Sequence, residues 1–107
     1  MSGSVEDILS QVSTWRSEGE RVALATVIAT WGSSPRPVGS QMAMAEGGRI
    51  IGSVSGGCVE SAVAEAGLET LSTRRPQVLN YGVSNERAWE IGLACGGRLS
   101  VFVEEVE

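Results

Sequence analysis

Histidine and lysine are both missing from this 107-residue chain, and their absence removes several kinds of chemistry. Without histidine, the commonest general base and the commonest metal ligand are lost. Without lysine, Schiff-base catalysis and a phosphate loop of the Walker type are excluded. All eight cationic residues are arginines, whose guanidinium groups remain available for binding anions.

Long apolar runs and basic clusters are missing as well. No segment approaches the roughly 20 apolar residues that span a bilayer, and the N-terminus lacks the charged and apolar regions of a signal peptide. A formal net charge of −5 argues against binding to nucleic acid or to anionic membranes. We therefore expect a cytoplasmic protein without a membrane or nucleic-acid partner, folded as one domain over residues 1–107.

Cysteine is scarce, but its two occurrences follow a pattern. Cys58 follows a Gly-x-x-x-Gly-Gly segment at residues 52–57, and Cys95 lies within a second one at residues 92–97. In a cytosolic chain this spacing favours free thiols over a disulfide or a metal knuckle. Glycine turns can direct backbone N–H groups at a ligand, which indicates a built site. The alternative is two tight turns with incidental cysteines.

The residue pattern predicts an α/β fold: a single small domain with a mixed β-sheet, an N-terminal helix and a helix after the Gly-Gly-Cys turn. The run Arg21 to Trp31 is apolar on both alternating faces, which is typical of a central strand. The other predicted elements are a helix from Ser4 to about Gly19, a hairpin of 41–45 and 49–54, a helix from Gly57 to about Thr73, a short helix or turn at 84–89, and strands at 77–81 and 98–103.

Cys58 is predicted to fall in the first turn of the second helix. The helix dipole there favours the thiolate, and the turn Ser55-Gly56-Gly57 offers donors to an anion. The alternative is that Cys58 is a small buried hydrophobic residue. Cys95 has weaker local support, because its case depends on proximity to Cys58.

Two charged residues near these turns are also candidates. Arg36 stands between Pro35 and Pro37, and a guanidinium on such a stiff loop loses less freedom when it binds a phosphate or carboxylate. A solvated loop arginine is the alternative. Glu60 is interpreted first as an acid that complements the helix dipole.

Taken in order, three segments resemble the N-terminal domain of the XdhC/CoxI family of accessory factors. They are LATVIATWGSSPRPVGSQMAM, EGGRIIGSVSGGCVE and GLACGG before a closing strand, and the match runs from about Val22 to Val103. The resemblance implies transient binding of molybdenum cofactor, as molybdopterin or its dinucleotide form. It also implies support of cofactor sulfuration by a cysteine desulfurase, and delivery into an apo molybdenum hydroxylase such as xanthine dehydrogenase.

The resemblance also implies which residues bind the cofactor. With Ser55 added from the anion-binding turn, and with Cys58 and Cys95 as candidate molybdenum ligands, the predicted cofactor-binding residues are Ser34, Arg36, Ser55, Gly56, Gly57, Cys58, Glu60, Cys95, Gly96 and Gly97. Pro35 and Gly39 belong to the same family loop as Ser34 and Arg36.

Longer family members continue into a Rossmann-like C-terminal domain, whereas this sequence stops at Glu107. The contribution of that domain is expected to come from a separate accessory chain or from a homodimer, or to be missing. The expected function is that of a cofactor chaperone rather than an enzyme. Two alternatives remain: a thiol sulfur relay through Cys58, or an assembly adaptor that binds no cofactor.

Overall fold

A five-stranded sheet with a helix against each face forms the part of the chain that the computed structural model describes, residues 5–31, 37–54, 59–81 and 98–106. In chain order the elements are α1 (Val5–Ser17), β1 (Val22–Trp31), β2 (Gln41–Ala45), β3 (Ile50–Gly52), α2 (Glu60–Thr73), β4 (Gln77–Tyr81) and β5 (Arg98–Glu105). The strand order across the sheet is β3-β2-β1-β5-β4. The predicted α/β class, with one helix before the sheet and one after the Gly-Gly-Cys turn, is confirmed.

Strand β1 lies at the centre of the sheet, as its sequence predicts. Ala23, Ala25 and Val27 face α2, while Val22 and Leu24 face α1. The strand pairs with β2 on one side and with β5 on the other, and the register with β5 shifts between Val27 and Ala29. Its apolar residues are therefore buried on both faces, which accounts for the absence of polar alternation along the run.

The two helices form separate cores with the two faces of the sheet. The α1 core contains Ile8, Val12 and Trp15 of that helix, packed against Val22 and alanines of β2, whereas Leu9 is exposed. On the other face α2 packs over β1, β2 and β5, and the main members of the shared core are Met42, Met44, Val63, Leu71, Leu99, Val101 and Val103. Neither described helix is long and apolar enough to cross a membrane.

The sheet corrects one expectation. We expected a mixed sheet, but every described pairing is antiparallel. The connection through α2 does join two strands of like direction, β3 and β4, as a crossover normally does. These strands lie at opposite edges with three strands between them, so they never become neighbours.

The start of α2 also differs from the prediction. The helix begins at Glu60 with Val59 as its N-cap, and no side chain of the described residues caps it. The sequence predicted a start near Gly57, with Cys58 in the first turn. Val59 is buried just before the helix, and its apolar side chain fits the spacing of the apolar positions within the helix. The pattern therefore extended the predicted helix beyond its N-terminus.

Arg21 connects several elements at the end of the sheet where β1 begins. Its Nε and Nη2 donate to the Glu105 carboxylate at 2.9 and 2.8 Å, and Nη2 also donates to the carbonyl oxygen of Leu71 near the end of α2. Its Nη1 lies 3.7 Å from Oε2 of Glu46 in the hairpin turn. The bidentate pair thus joins the first and last strands of the described sheet.

This pair predicts a pH dependence of stability. Hydrogen bonds from Arg21 hold the pKa of Glu105 below its ordinary value of 4.5. A carboxylate with a lowered folded-state pKa stabilises the fold at neutral pH, and the contribution is lost as the pH falls through that lowered value. Glu105→Gln should therefore be less stable than the wild type at neutral pH, and the two should converge in acid, as measured by urea unfolding across pH.

Glu104→Gln is the matched control, because it removes the neighbouring carboxylate and leaves the Arg21 pair intact. The difference in the free energy of unfolding between Glu104→Gln and the wild type should change much less with pH. If the difference in the free energy of unfolding between Glu105→Gln and the wild type stays constant from neutral pH to about pH 3, the ionisation of Glu105 does not stabilise the fold.

Candidate functional site

Three strand ends meet at one end of the sheet, and each leads into a predicted motif. Strands β1, β3 and β4 run in the same direction, because each is separated from the others by an even number of antiparallel steps. They end at Trp31, Gly52 and Tyr81, and β5 begins at Arg98 opposite Trp31. We call this end of the sheet, defined by Trp31, Gly52, Tyr81 and Arg98, the motif end.

Most of the predicted site residues follow these strand ends but lie outside the described residues. They are Ser34, Arg36, Ser55, Gly56, Gly57, Cys58, Cys95, Gly96 and Gly97. Proximity of the two cysteines, and their role as molybdenum ligands, therefore stay predictions. Among the described residues, no group of three or more His, Cys, Asp or Glu side chains is placed to hold a metal ion.

Glu60 is the predicted site residue that the structure does describe. It is the first residue of α2, and its Oε2 accepts hydrogen bonds from Ser53 Oγ at 2.6 Å and from the Val54 N–H at 3.0 Å. These contacts join the start of the helix to the segment that leaves β3, across residues 55–58. Glu60 lies in the first turn, as the dipole interpretation requires, but its contacts also give it a positioning role for the first glycine motif.

Gly52 opens that motif and has a structural role of its own. Its φ is +87°, a conformation that side chains other than glycine rarely adopt. An added Cβ would collide with the carbonyl oxygen of Gln41 and would lie 2.8 Å from Cδ1 of Ile8. This glycine is therefore required where the chain leaves β3, independently of any ligand.

Two polar residues at the motif end were not among those predicted from the sequence. Gln41 is the first residue of β2, and its Nε2 donates to Thr26 Oγ1 at 3.2 Å, whereas its buried Oε1 has no hydrogen-bond partner among the described residues. Tyr81 ends β4 and is 4% exposed, and burial raises its pKa to about 12. A neutral phenol can form a hydrogen bond but does not act as a base at neutral pH. The sequence signals were a polar residue opening an apolar strand and the chain's single tyrosine.

The geometry defines a class of protein: a small α/β domain in which an antiparallel five-stranded sheet lies between two helices and three strands of like direction end at the motif end. The chain belongs to the XdhC and CoxI family, which it matches over residues 15–82.

Individual relatives agree with this membership. The chain is 37% identical over 89 residues to the molybdenum cofactor insertion chaperone PaoD of Escherichia coli K12, a match that covers 82% of this chain and 27% of that protein. It is 33% identical over 91 residues to a probable xanthine dehydrogenase subunit of Bacillus subtilis 168, covering 81% of this chain and 27% of the relative.

A solved structure shares the fold. A crystal structure of a xanthine dehydrogenase from Bacillus halodurans aligns with a TM-score of 0.74 and 30% identity, over 92% of this chain and 30% of that one. The chain thus spans less than a third of the length of each of these relatives.

The conformation of Gly52 predicts a large loss of stability on substitution. Gly52→Ala should lower the free energy of unfolding by about 3 kcal/mol or more, because conformational strain is added to a collision with backbone atoms. Gly48→Ala is the matched control, since Gly48 also has a positive φ of +101° but no described atom within 4 Å of an added Cβ. It should cost only about 1 to 2 kcal/mol. Equal losses in urea unfolding would show that the close approach to Gln41 contributes nothing.

The Glu60 contacts predict a further stability effect. Glu60→Ala should lower the free energy of unfolding by about 1 to 3 kcal/mol, because it removes the acceptor for two hydrogen bonds. Glu65→Ala, an exposed change in the same helix, should stay within about 0.5 kcal/mol of the wild type. If Glu60→Ala is as stable as Glu65→Ala in urea unfolding, Glu60 does not hold this segment.

Proposed function

We propose that this chain holds molybdenum cofactor at the motif end and passes it to an apo molybdenum hydroxylase. The observation that carries the proposal is the common direction of β1, β3 and β4, which start the three motif segments from one end of the sheet. Family membership and the similarity to an insertion chaperone support the choice of cofactor.

The donor set at the motif end suits such a group. The cofactor carries an anionic phosphate, and a bare carboxylate beside it would be unfavourable. Glu60 is the described carboxylate of this region, and its Oε2 accepts hydrogen bonds from Ser53 and Val54 of its own chain. Arg98 brings a guanidinium to the same end. One oxygen of the Glu60 carboxylate is thus already engaged by donors of its own chain.

The roles of the individual residues follow from their chemistry. Arg36 and the N–H groups of Gly56 and Gly57 would bind the phosphate, with Ser34 and Ser55 as further donors. Cys58 and Cys95 would offer soft sulfur ligands, with Gly96 and Gly97 shaping the second turn. When bound, the cofactor supplies the redox chemistry that the recipient hydroxylase uses. The chain itself binds, orients and releases it.

Several finer points belong to the same proposal. The cofactor is bound transiently, as molybdopterin or its dinucleotide form, and a cysteine desulfurase sulfurates it while it is held. The chain acts as a cytoplasmic homodimer.

The proposal predicts which substitutions release the cofactor. Cys58→Ala, Cys95→Ala and Arg36→Gln should each reduce co-purified molybdopterin at least about tenfold, as measured by fluorescence of the oxidised pterin, because each removes a strong contact. Arg75→Gln is the matched control for charge, since Arg75 is exposed and lies just before β4, at the opposite end of the sheet. Retention unchanged in all four variants would refute a cofactor site at the motif end.

The two alternatives give different results with the same proteins. A sulfur relay requires a persulfide on Cys58 after incubation with a desulfurase and cysteine, which mass spectrometry detects. The later start of α2, at Glu60, gives less support to a thiolate at Cys58 than the predicted first-turn position did. An adaptor would bind the apo-hydroxylase even when both cysteines are replaced and no pterin is retained.

A further inference from the structure

A pocket lined by arginines lies at the end of the sheet opposite the motif end. It is a hollow of about 270 Å³ between the end of α1, the start of β1, the residue after α2 and the end of β5. Its charged lining comprises Arg16, Arg21, Arg74, Glu20 and Glu105, and we call it the arginine pocket. None of these residues belongs to the three family motifs.

Arg21 is fixed inside this pocket. It donates two hydrogen bonds to the Glu105 carboxylate and one to the carbonyl oxygen of Leu71. The negative charge of Glu105 is thus compensated by the guanidinium of Arg21. Glu20, the other carboxylate of the lining, accepts hydrogen bonds from the Arg49 side chain and from the Gly47 N–H.

Arg16 and Arg74 are placed differently. Within residues 5–31, 37–54, 59–81 and 98–106, neither has a carboxylate within 4.0 Å. Their backbones are nevertheless held: Arg16 lies in the last turn of α1, and Arg74 has a φ of 61° with its N–H bonded to the Thr70 carbonyl oxygen at 2.8 Å. Two guanidinium groups thus border the hollow with no carboxylate of the described chain fixed against them.

The electrostatics of the pocket agree with this geometry. Besides the hydrogen bonds from Arg21, the charges of Arg74 and Arg16 both lower the pKa of Glu105. Both cations therefore act on the interior of the pocket. Arg21 is paired with Glu105 and lies 3.7 Å from Glu46, so Arg16 and Arg74 are the guanidinium groups of the lining that an anion would contact.

We propose that the arginine pocket binds a phosphate group, either as inorganic phosphate or as the phosphate of a nucleotide. Guanidinium forks match the oxygen geometry of phosphate, and Arg16 and Arg74 line the same hollow from two different parts of the chain. The site lies at the opposite end of β1 from the proposed cofactor site and does not depend on it.

The test is a titration of the purified chain with inorganic phosphate at constant ionic strength, followed by calorimetry. Binding should be saturable. Arg16→Gln and Arg74→Gln should each weaken it at least about tenfold, because each removes charge-assisted hydrogen bonds. Arg75→Gln is the matched control: it neutralises the adjacent exposed arginine, which does not line the hollow, and should change the affinity less than about twofold.

Each other outcome is also decisive. Absence of saturable binding would overturn the proposal. An equal loss of phosphate affinity in Arg75→Gln and Arg74→Gln would also overturn it, because phosphate would then respond to the general positive charge of this surface and not to a defined pocket. Adenosine monophosphate binding more tightly than phosphate would identify a nucleotide, and equal affinity would identify free phosphate. Arg36→Gln, which removes the guanidinium proposed to bind the cofactor phosphate at the motif end, should retain this phosphate binding, which separates the arginine pocket from the cofactor proposal. Unchanged thermal unfolding of the Arg16→Gln variant confirms that any loss is not due to misfolding.

Discussion

Burial of both faces of β1 is the constraint on which the arrangement of the other elements depends. A strand with apolar residues on both sides needs other elements packed over both of its faces, and its backbone groups need a partner strand on each side. Here α1 and α2 cover the faces while β2 and β5 occupy the edges. The hairpin then puts β3 beyond β2, and the α2 crossover puts β4 beyond β5. Both outer strands consequently run in the direction of β1.

That shared direction separates the domain into two chemically different ends. At the motif end, glycine-containing segments follow the strand termini, and Glu60 ties the first of them to α2. At the other end, the start of β1, the end of α2 and the end of β5 meet around Arg21. The second end is lined by paired charges, with the Arg21–Glu105 pair at its centre.

Local patterns in the sequence predicted much of this fold. The apolar run of β1 and the hairpin of β2 and β3 each depend on neighbouring residues, and the structure confirms them. The wrong expectations concern relations that a local pattern does not contain. Parallel or antiparallel pairing depends on which strands become neighbours, and the Arg21–Glu105 pair joins residues 84 positions apart.

In the candidate site, too, the local features were predictable from the sequence and the contacts between distant residues were not. Glycine spacing pointed to the segment after β3, but the reason for Gly52 is a collision with Gln41 that appears only once β2 and β3 are paired. Glu60 was interpreted through the helix dipole, which is a local effect. Its bonds to Ser53 and Val54 depend on how the chain returns from β3 to α2.

The pairing of β1 with β5 has a consequence for how the domain forms during synthesis. β1 is made early, yet one of its two partner strands is the last strand described, so the ribosome must release nearly the whole domain before the sheet can close. Until then the apolar β1 has one unpaired edge in an incomplete sheet. Domains whose strands pair mainly with distant segments fold slowly, and their incomplete sheets expose aggregation-prone surface until the last strand pairs. A nascent chain of this domain is therefore most vulnerable just before β5 emerges.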